Sequence, residues 1–322
     1  MKQKLAIGID IGGTTTKFGV VDTNGAILVQ DRIPTNIHEE VGEFIEDLYP
    51  KLMPLITAYG GVTKFVGIGI GAPNGNYYKG TIEYAPNLKW KGIIPIAELI
   101  QKRFELTTKL TNDANAAAVG EMMYGAAKGM QDFITITLGT GVGSGIVTNG
   151  KVIYGHDGFA GELGHTIIRP GGRMHKGTGM RGSLEAYASA TGVRETAIEL
   201  LTDYPEKESL LRNYTINDLT SESVYECAMQ GDNIANEIFE YTGQILGESL
   251  ANFIMFSSPE AIVLFGGLTK AGDLLLNPTR KHMELNLLPI FQNKIKLLYS
   301  QLQEADAAIL GASALVWKHS SL

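Results

Sequence analysis

Asp10, Gly12, Gly13, Thr14 and Lys17 lie close together, directly after an apolar run. Adjacent glycines let a backbone approach a phosphate closely, and their amides with the Thr14 hydroxyl suit phosphate oxygens. Asp10 at a strand end suits Mg²⁺, which keeps several waters and takes one or two carboxylates. A plain hairpin turn would need a glycine, but not Asp, Gly-Gly, Thr and Lys together. A second glycine-rich stretch, Gly139-Thr140-Gly141-Val142-Gly143, offers the same kind of cradle or a flexible turn. Gly266-Gly267 follows a buried strand and opens either a helix beside a nucleotide or an ordinary strand-to-helix connection.

Carboxylates form the other group. Asn112-Asp113 sits between a short strand and the alanine-rich stretch Ala114–Ala118. Asp113 is placed either to cap that helix or to act as the base that phosphoryl transfer requires. Glu162 and His165 are three apart, and Glu185 precedes Ala186-Tyr187. Acceptors of this type suit the hydroxyls of a polyol. Each also has a plain reading: a surface carboxylate, a core histidine and a helix-dipole partner. Gly67-x-Gly69-x-x-Ala72 fits the loose dinucleotide pattern, but it leads into Pro73-Asn74-Gly75 where that pattern needs a helix. There is no P-loop signature.

These groups need strands and helices to position them. The segment from Ile9 to Ile27 and that from Ile136 to Val152 read alike. Each is a strand, a Gly/Thr turn, a strand, an Asn-Gly turn and a third strand, which predicts a duplicated β-meander, one copy per domain. Asn-Gly predicts type I′ turns. Helices are expected over Glu39–Ala58, Ile94–Phe104 and Asp232–Ser257, the last stopped by Pro259. Strands are expected over Val62–Ile70, Lys109–Thr111 and Ala261–Phe265. Residues 202–217 read as a surface connection. The class is α/β.

Composition narrows the partners. The chain has 322 residues, 44% hydrophobic and 19% charged, enough for two cored domains. Glycine is frequent, 39 residues, against a usual share of about 7%. A net charge of −7 argues against nucleic acid. The single cysteine, Cys227, excludes an intrachain disulfide and fits a reducing, cytoplasmic setting. Asp10 interrupts the N-terminal apolar run too early for a signal peptide. No run approaches the roughly 18 apolar residues of a membrane span.

Taken together, the motifs around Asp10, Thr111-Asn112-Asp113-Ala114-Asn115, Leu138–Gly143, Gly161-Glu162-Leu163-Gly164-His165, Leu184–Ser189 and Pro259–Leu264 resemble the ROK family (repressors, open reading frames, kinases). The resemblance runs from about residue 5 to 315. It implies an actin-like ATPase fold with two ribonuclease-H-like domains flanking a central cleft. The implied domains are 1–115 plus about 305–322, and 116–304, with the C-terminal helix returning to the first. It implies an ATP-dependent hexose kinase, glucokinase-like, using Mg²⁺ and forming a homodimer. Asp113 would be the catalytic base on the sugar 6-hydroxyl. Asn112, Glu162, His165 and Glu185 would hold sugar hydroxyls, with Gly71 and Asn87 on the sugar's other side. Asp10, Gly12, Gly13, Thr14, Lys17, Gly139, Thr140, Gly141, Gly266 and Gly267 would hold ATP.

One departure stands out. Where many members carry three zinc-binding cysteines, this chain has Lys176, Thr178 and Ser183. An ammonium and two hydroxyls are poor zinc ligands, so no structural zinc is expected. His156 and His175 leave a rebuilt histidine site open. The loop then needs hydrogen bonds and glycine turns, and Ser183 is placed to cap the helix that bears Glu185.

Other readings are weaker. A family repressor needs a DNA-binding module before Asp10, and nine residues precede it. A noncatalytic sugar binder does not need both Asp113 and the phosphate loops. A glycosidase uses paired carboxylates without phosphate cradles. Within kinases, glucose or mannose is expected, and an N-acetylhexosamine such as N-acetylglucosamine or N-acetylmannosamine is the alternative.

Overall fold

The computed structural model describes residues 4–317. Met1–Gln3, read above for a leader, and residues 318–322 of the tail assigned to the first domain lie outside the described residues. In chain order the elements are β1 (Leu5–Ile11), β2 (Thr15–Asp22), β3 (Ile27–Pro34), α1 (Val41–Ala58), β4 (Phe65–Gly71), β5 (Gly75–Asn76), β6 (Thr81–Glu83), β7 (Ile93–Ile94), α2 (Ile96–Phe104), β8 (Thr108–Thr111) and α3 (Asp113–Tyr124). There follow β9 (Phe133–Leu138), β10 (Val142–Thr148), β11 (Lys151–Val152), α4 (Glu185–Ala188), α5 (Ala190–Asp203), α6 (Ser221–Met229), α7 (Asn233–Ser257), β12 (Ala261–Phe265), α8 (Asp273–Leu285), β13 (Lys296–Tyr299) and α9 (Glu304–Ala314). Contacts divide the chain into two units. The first takes in the described residues up to Gln131, then 145–161, and those from Ser300 onward. The second takes in 132–144 and 162–299.

In the first unit the sheet order is β3-β2-β1-β4-β8. The first three strands form an antiparallel meander, and β4 and β8 add in parallel. One face of this sheet packs on α1 and α2. Phe44, Leu48, Leu52 and Ile56 recur every fourth residue on α1 and meet Phe18, Ile68, Ile70 and Phe104 in a core closed to solvent. Helix α9 belongs to the same unit, and glycines let it approach closely. A Cβ at Gly8 would lie 2.0 Å from the Ile309 carbonyl oxygen, and one at Gly69 1.8 Å from that of Ala312. Backbone thus rests on backbone, as no larger residue would permit.

In the second unit β12 runs parallel to both β9 and β13, in the order β9-β12-β13. Helices α7 and α8 pack at Gly243 and Gly247, where added Cβ atoms would fall 2.6 Å from Pro278 Cγ and 2.4 Å from the Thr279 carbonyl oxygen. Ser258 takes a left-handed conformation that ends α7, one residue before Pro259 as expected.

Several sequence expectations shift. The two Asn-Gly turns differ. Asn149 and Gly150 both have positive φ, as type I′ requires. At Asn24-Gly25 only glycine does, and Gly25 N donates to the Asp22 carbonyl. The β2–β3 register then slips between Val20 and Val21, so this turn is followed by a bulge. Asp22 Oδ1 accepts from the Asn24 and Ala26 amides at 2.8 and 2.9 Å, a local alternative to the two-residue turn. The expected strand at Val62 begins as a 3₁₀ turn, Val62–Lys64. The strand before Gly266-Gly267 opens into a second such turn, Gly267–Ala271, ahead of α8.

Candidate active site

In the first unit the meander and the parallel strands converge on two carboxylates. Asp10 is next to last in β1 and pairs with Lys17 on β2 and Gly71 on β4. Gly71 pairs with Thr111 on β8, and α3 begins two residues later with Asp113. A Cβ at Gly71 would lie 3.8 Å from Asp113 Cα and 4.0 Å from Asp10 Oδ1. Three of the expected residues therefore meet at the carboxyl ends of neighbouring strands, where α/β sheets place their sites.

The helix cap falls to Asn112. Its Oδ1 accepts from the Asn115 amide at 2.7 Å, an N-cap bond. Asp113 is the first helical residue, and its Oδ1 accepts from the Ala114 amide at 2.8 Å. Asn112, not Asp113, is therefore the cap.

Both carboxyls are held in a raised state. Removal from bulk water pushes Asp10 up to about 6, the Asp113 charge adds to this, and Lys17 opposes it. Asp113 keeps contact with solvent but stands deep within surrounding protein, and this desolvation raises it against the pull of backbone amides.

The glycine turn is only partly available as an anion cradle. Gly12 N already donates to the Thr15 carbonyl at 3.1 Å, which removes that amide from the expected set. Among the described residues, the amides of Gly13 and Thr14 donate to no protein acceptor. The Thr14 carbonyl accepts from Thr35 N at 2.8 Å, fixing the turn. A Cβ at Gly13 would lie 2.7 Å from the Asn87 carbonyl oxygen, so Asn87 stands against this turn.

In the second unit a different set gathers around Val142. Its amide donates to Glu185 Oε2 at 2.7 Å. The next strand residue but one, Ser144, accepts through Oγ from Leu163 N at 3.1 Å. That bond brings in the 3₁₀ turn Leu163–His165, where Glu162 Oε2 and His165 Nε2 are 3.8 Å apart. The loop Gly139–Gly141 is tied at both ends: Gly139 N donates to the Gly141 carbonyl, and Ala190 N at the start of α5 donates to the Gly139 carbonyl. Among the described residues, the Thr140 and Gly141 amides donate to no protein acceptor. Gly266 has φ +108°, and its Cβ would fall 2.6 Å from the Leu138 carbonyl oxygen. The Gly266-Gly267 turn is thus built against the start of the same loop.

The stretch without cysteines is held by side chains. Arg173 is the hub. Its guanidinium donates to the carbonyls of Ala186 and Gly192 at 2.7 and 3.0 Å, to Thr196 Oγ1 at 2.9 Å, and to both oxygens of Glu199. Its own amide donates to the Tyr187 hydroxyl at 2.7 Å. Met174 and Arg181 pair as an antiparallel bridge. Ser183 Oγ caps nothing: it is buried without a protein partner, as is His165 Nδ1. Helix α4 is four residues long, starts at Glu185 and has no side-chain cap. No group of three His, Cys, Asp or Glu side chains is placed to hold a metal among the described residues.

Sequence reasoning placed Arg173 in no role, and saw His175 only as a possible metal ligand. Arg173 carries no motif. His175 is revealed only by its partner, Glu185, ten residues on.

The ROK family model matches residues 6–319. A glucokinase of Halalkalibacterium halodurans is 35% identical over 318 residues, 98% of this chain and 96% of that protein. A glucokinase of Thermotoga maritima is 33% identical over 316 residues, 98% of each. The crystal structure of a ROK family glucokinase from Streptomyces griseus, in complex with glucose and AMPPNP, is 32% identical with a TM-score of 0.78, covering 97% of this chain and 98% of that one. No helix is long and apolar enough to cross a membrane among the described residues. A sheet built on an antiparallel meander with parallel additions, carboxylates at the strand ends and a match across nearly the whole length all point one way: the chain belongs to the ROK family and has its actin-like ATPase fold.

Proposed function

We propose that this ROK-family sugar kinase transfers the γ-phosphoryl group of ATP to the 6-hydroxyl of glucose or a close relative. The observation that supports it most is Asp113: a carboxyl raised by desolvation, at the start of α3, next to Asp10 across the side-chain-free position 71. Phosphoryl transfer asks for one carboxylate to accept the proton of the attacking hydroxyl, and otherwise for positioning and charge neutralisation. A raised carboxyl is a better proton acceptor than an ordinary one.

Asp113 takes the hydroxyl proton in this reading. Asn112, Glu162, His165 and Glu185 accept from or donate to the sugar hydroxyls, and Gly71 and Asn87 line the sugar. Gly13, Thr14, Thr140 and Gly141 offer amides to phosphate oxygens, with Lys17 adding charge. Gly12 keeps its place in the turn rather than a bond to phosphate. Gly266 and Gly267 lie against the nucleotide. The donor set fits Mg²⁺, because Asp10 is a carboxylate set among other protein groups, raised first by burial and then by the Asp113 charge that Lys17 opposes, and a cation would offset that crowding of negative charge. Asp10 would hold the ion through water, and the ion would neutralise phosphate charge.

The two units are proposed as the two ribonuclease-H-like domains, and a cytoplasmic homodimer as the working state. A coupled ADP-release assay tests the function with glucose, mannose, fructose, N-acetylglucosamine and N-acetylmannosamine. Glucose-dependent ADP release is expected. Release only with an N-acetylhexosamine would move the assignment to that class, and none with any sugar would overturn it.

A further inference from the structure

Glu185 is fixed from two sides within the second unit. Oε2 accepts from the Val142 amide at 2.7 Å, and Oε1 faces His175 Nε2 at 3.1 Å. His175 is itself oriented, because its Nδ1 is 3.0 Å from Thr178 Oγ1. Nε2–H donates to Glu185, and the contact of Nδ1 with the Thr178 hydroxyl fixes the ring orientation whichever of the two donates.

The backbone holds the ring in place. His175 N donates to the Met180 carbonyl, and Gly179 N donates to the His175 carbonyl, both at 2.8 Å. A Cβ at Gly177 would lie 3.0 Å from the ring carbon Cε1. A Cβ at Gly141 would lie 2.3 Å from Glu185 Oε2, so glycine is needed there for the carboxylate to sit as it does. The loop's other cations are engaged elsewhere, Lys176 with Glu195 at 3.2 Å, Arg173 with Glu199, and Arg181 with the Gly172 carbonyl at 3.3 Å. The His175 and Glu185 side chains are only 20% and 12% exposed, so water competes for this hydrogen bond less than for one on the open surface.

We propose that His175, oriented by Thr178, is a positioning residue that holds the Glu185 carboxylate in the rotamer that receives the hexose. This rests on the reading of Glu185 as a sugar ligand. A carboxylate has about four acceptor sites. Val142 and His175 occupy one on each oxygen, which leaves one on each for sugar hydroxyls. The two protein bonds therefore fix the direction in which the free lone pairs point.

The test is steady-state kinetics with hexose and ATP varied separately, together with thermal unfolding, for His175→Ala, His175→Gln, Thr178→Val, Glu185→Ala and the double variant His175→Ala/Glu185→Ala. His175→Ala is expected to raise the hexose KM about tenfold, the worth of one hydrogen bond to a charged group, with the ATP KM unchanged. His175→Gln, which keeps an N–H donor, recovers most of that loss, and Thr178→Val costs less than His175→Ala. In the Glu185→Ala background, His175→Ala adds nothing further.

An unchanged hexose KM in His175→Ala, an equal rise in both KM values, or losses that simply add in the double variant would overturn the proposal. Should His175→Ala fail to fold, wild-type hexose KM values in both His175→Gln and Thr178→Val with an altered ATP KM would do the same. If Glu185→Ala leaves the hexose KM unchanged, the sugar-ligand reading itself is lost. If only the His175 variants are silent, that reading survives and the positioning role alone is lost.

Discussion

Asp10 and Asp113 stand on either side of the space that a side chain at position 71 would fill. Neither is near the other in sequence. The parallel pairing of β1, β4 and β8 brings them together, and burial raises Asp10, with the Asp113 charge adding to it. Like carboxylates in one site are costly to ionise, which motivates the first two predictions.

Asp113→Asn keeps the shape of the site and removes the proton acceptor. Turnover should fall about 10²–10⁴-fold, while the melting temperature stays the same or rises. Near-normal turnover would remove Asp113 from the mechanism.

The Asp10 carboxyl makes stability depend on pH. Its folded-state value, about 6, lies above the ordinary 3.8. Between these values the folded chain binds more protons than the unfolded one, so the contribution is full below about pH 4 and is lost as pH rises through about 6. Asp10→Asn without ligands should therefore be more stable than wild type at pH 7.5, by up to about 3 kcal/mol. The gap should close near pH 4. Urea unfolding at the two pH values measures this, and a less stable variant at pH 7.5 would contradict it.

Gly71→Ala separates fold from function. The added methyl would meet its neighbours at 3.4 Å or more, ordinary contact distances. Stability should change little, while hexose binding weakens because the methyl enters the space beside Asp113. A tenfold or larger rise in hexose KM, on the order of one lost contact, is the expected reading. A wild-type KM would place the sugar elsewhere.

Gly69→Ala does the opposite. Its methyl would fall 1.8 Å from the Ala312 carbonyl oxygen, so α9 must move off the sheet. Destabilisation of about 2–3 kcal/mol is expected, measured by urea unfolding. A stability equal to wild type would mean that α9 does not rest on β4.

Arg173 bonds tie the loop from Arg173 to Ser183, and the Lys176, Thr178 and Ser183 side chains predict that it carries no zinc. Dialysis against EDTA should leave the melting temperature unchanged, and elemental analysis should find no stoichiometric zinc. Arg173→Ala should destabilise by about 1–3 kcal/mol, since it strands the Ala186 carbonyl of a buried residue and uncovers the Tyr187 ring. A chelator-sensitive melting temperature would refute the metal-free reading.

Local chemistry determined much of this protein from sequence alone. Strands β1, β12 and the long helix α7 were legible because apolar runs, Asn-Gly and Pro259 act within a few residues. The same holds for the existence of the glycine turns and for Asp113 at a strand-to-helix junction. Tertiary structure decided what needs distant partners. It moved the cap from Asp113 to Asn112, tied up the Gly12 amide and left Ser183 without a role. It also joined Glu185 to His175 and Val142. A carboxylate's bonding depends on which backbone amide or imidazole lies within about 3 Å in space, and spacing along the chain carries no record of that.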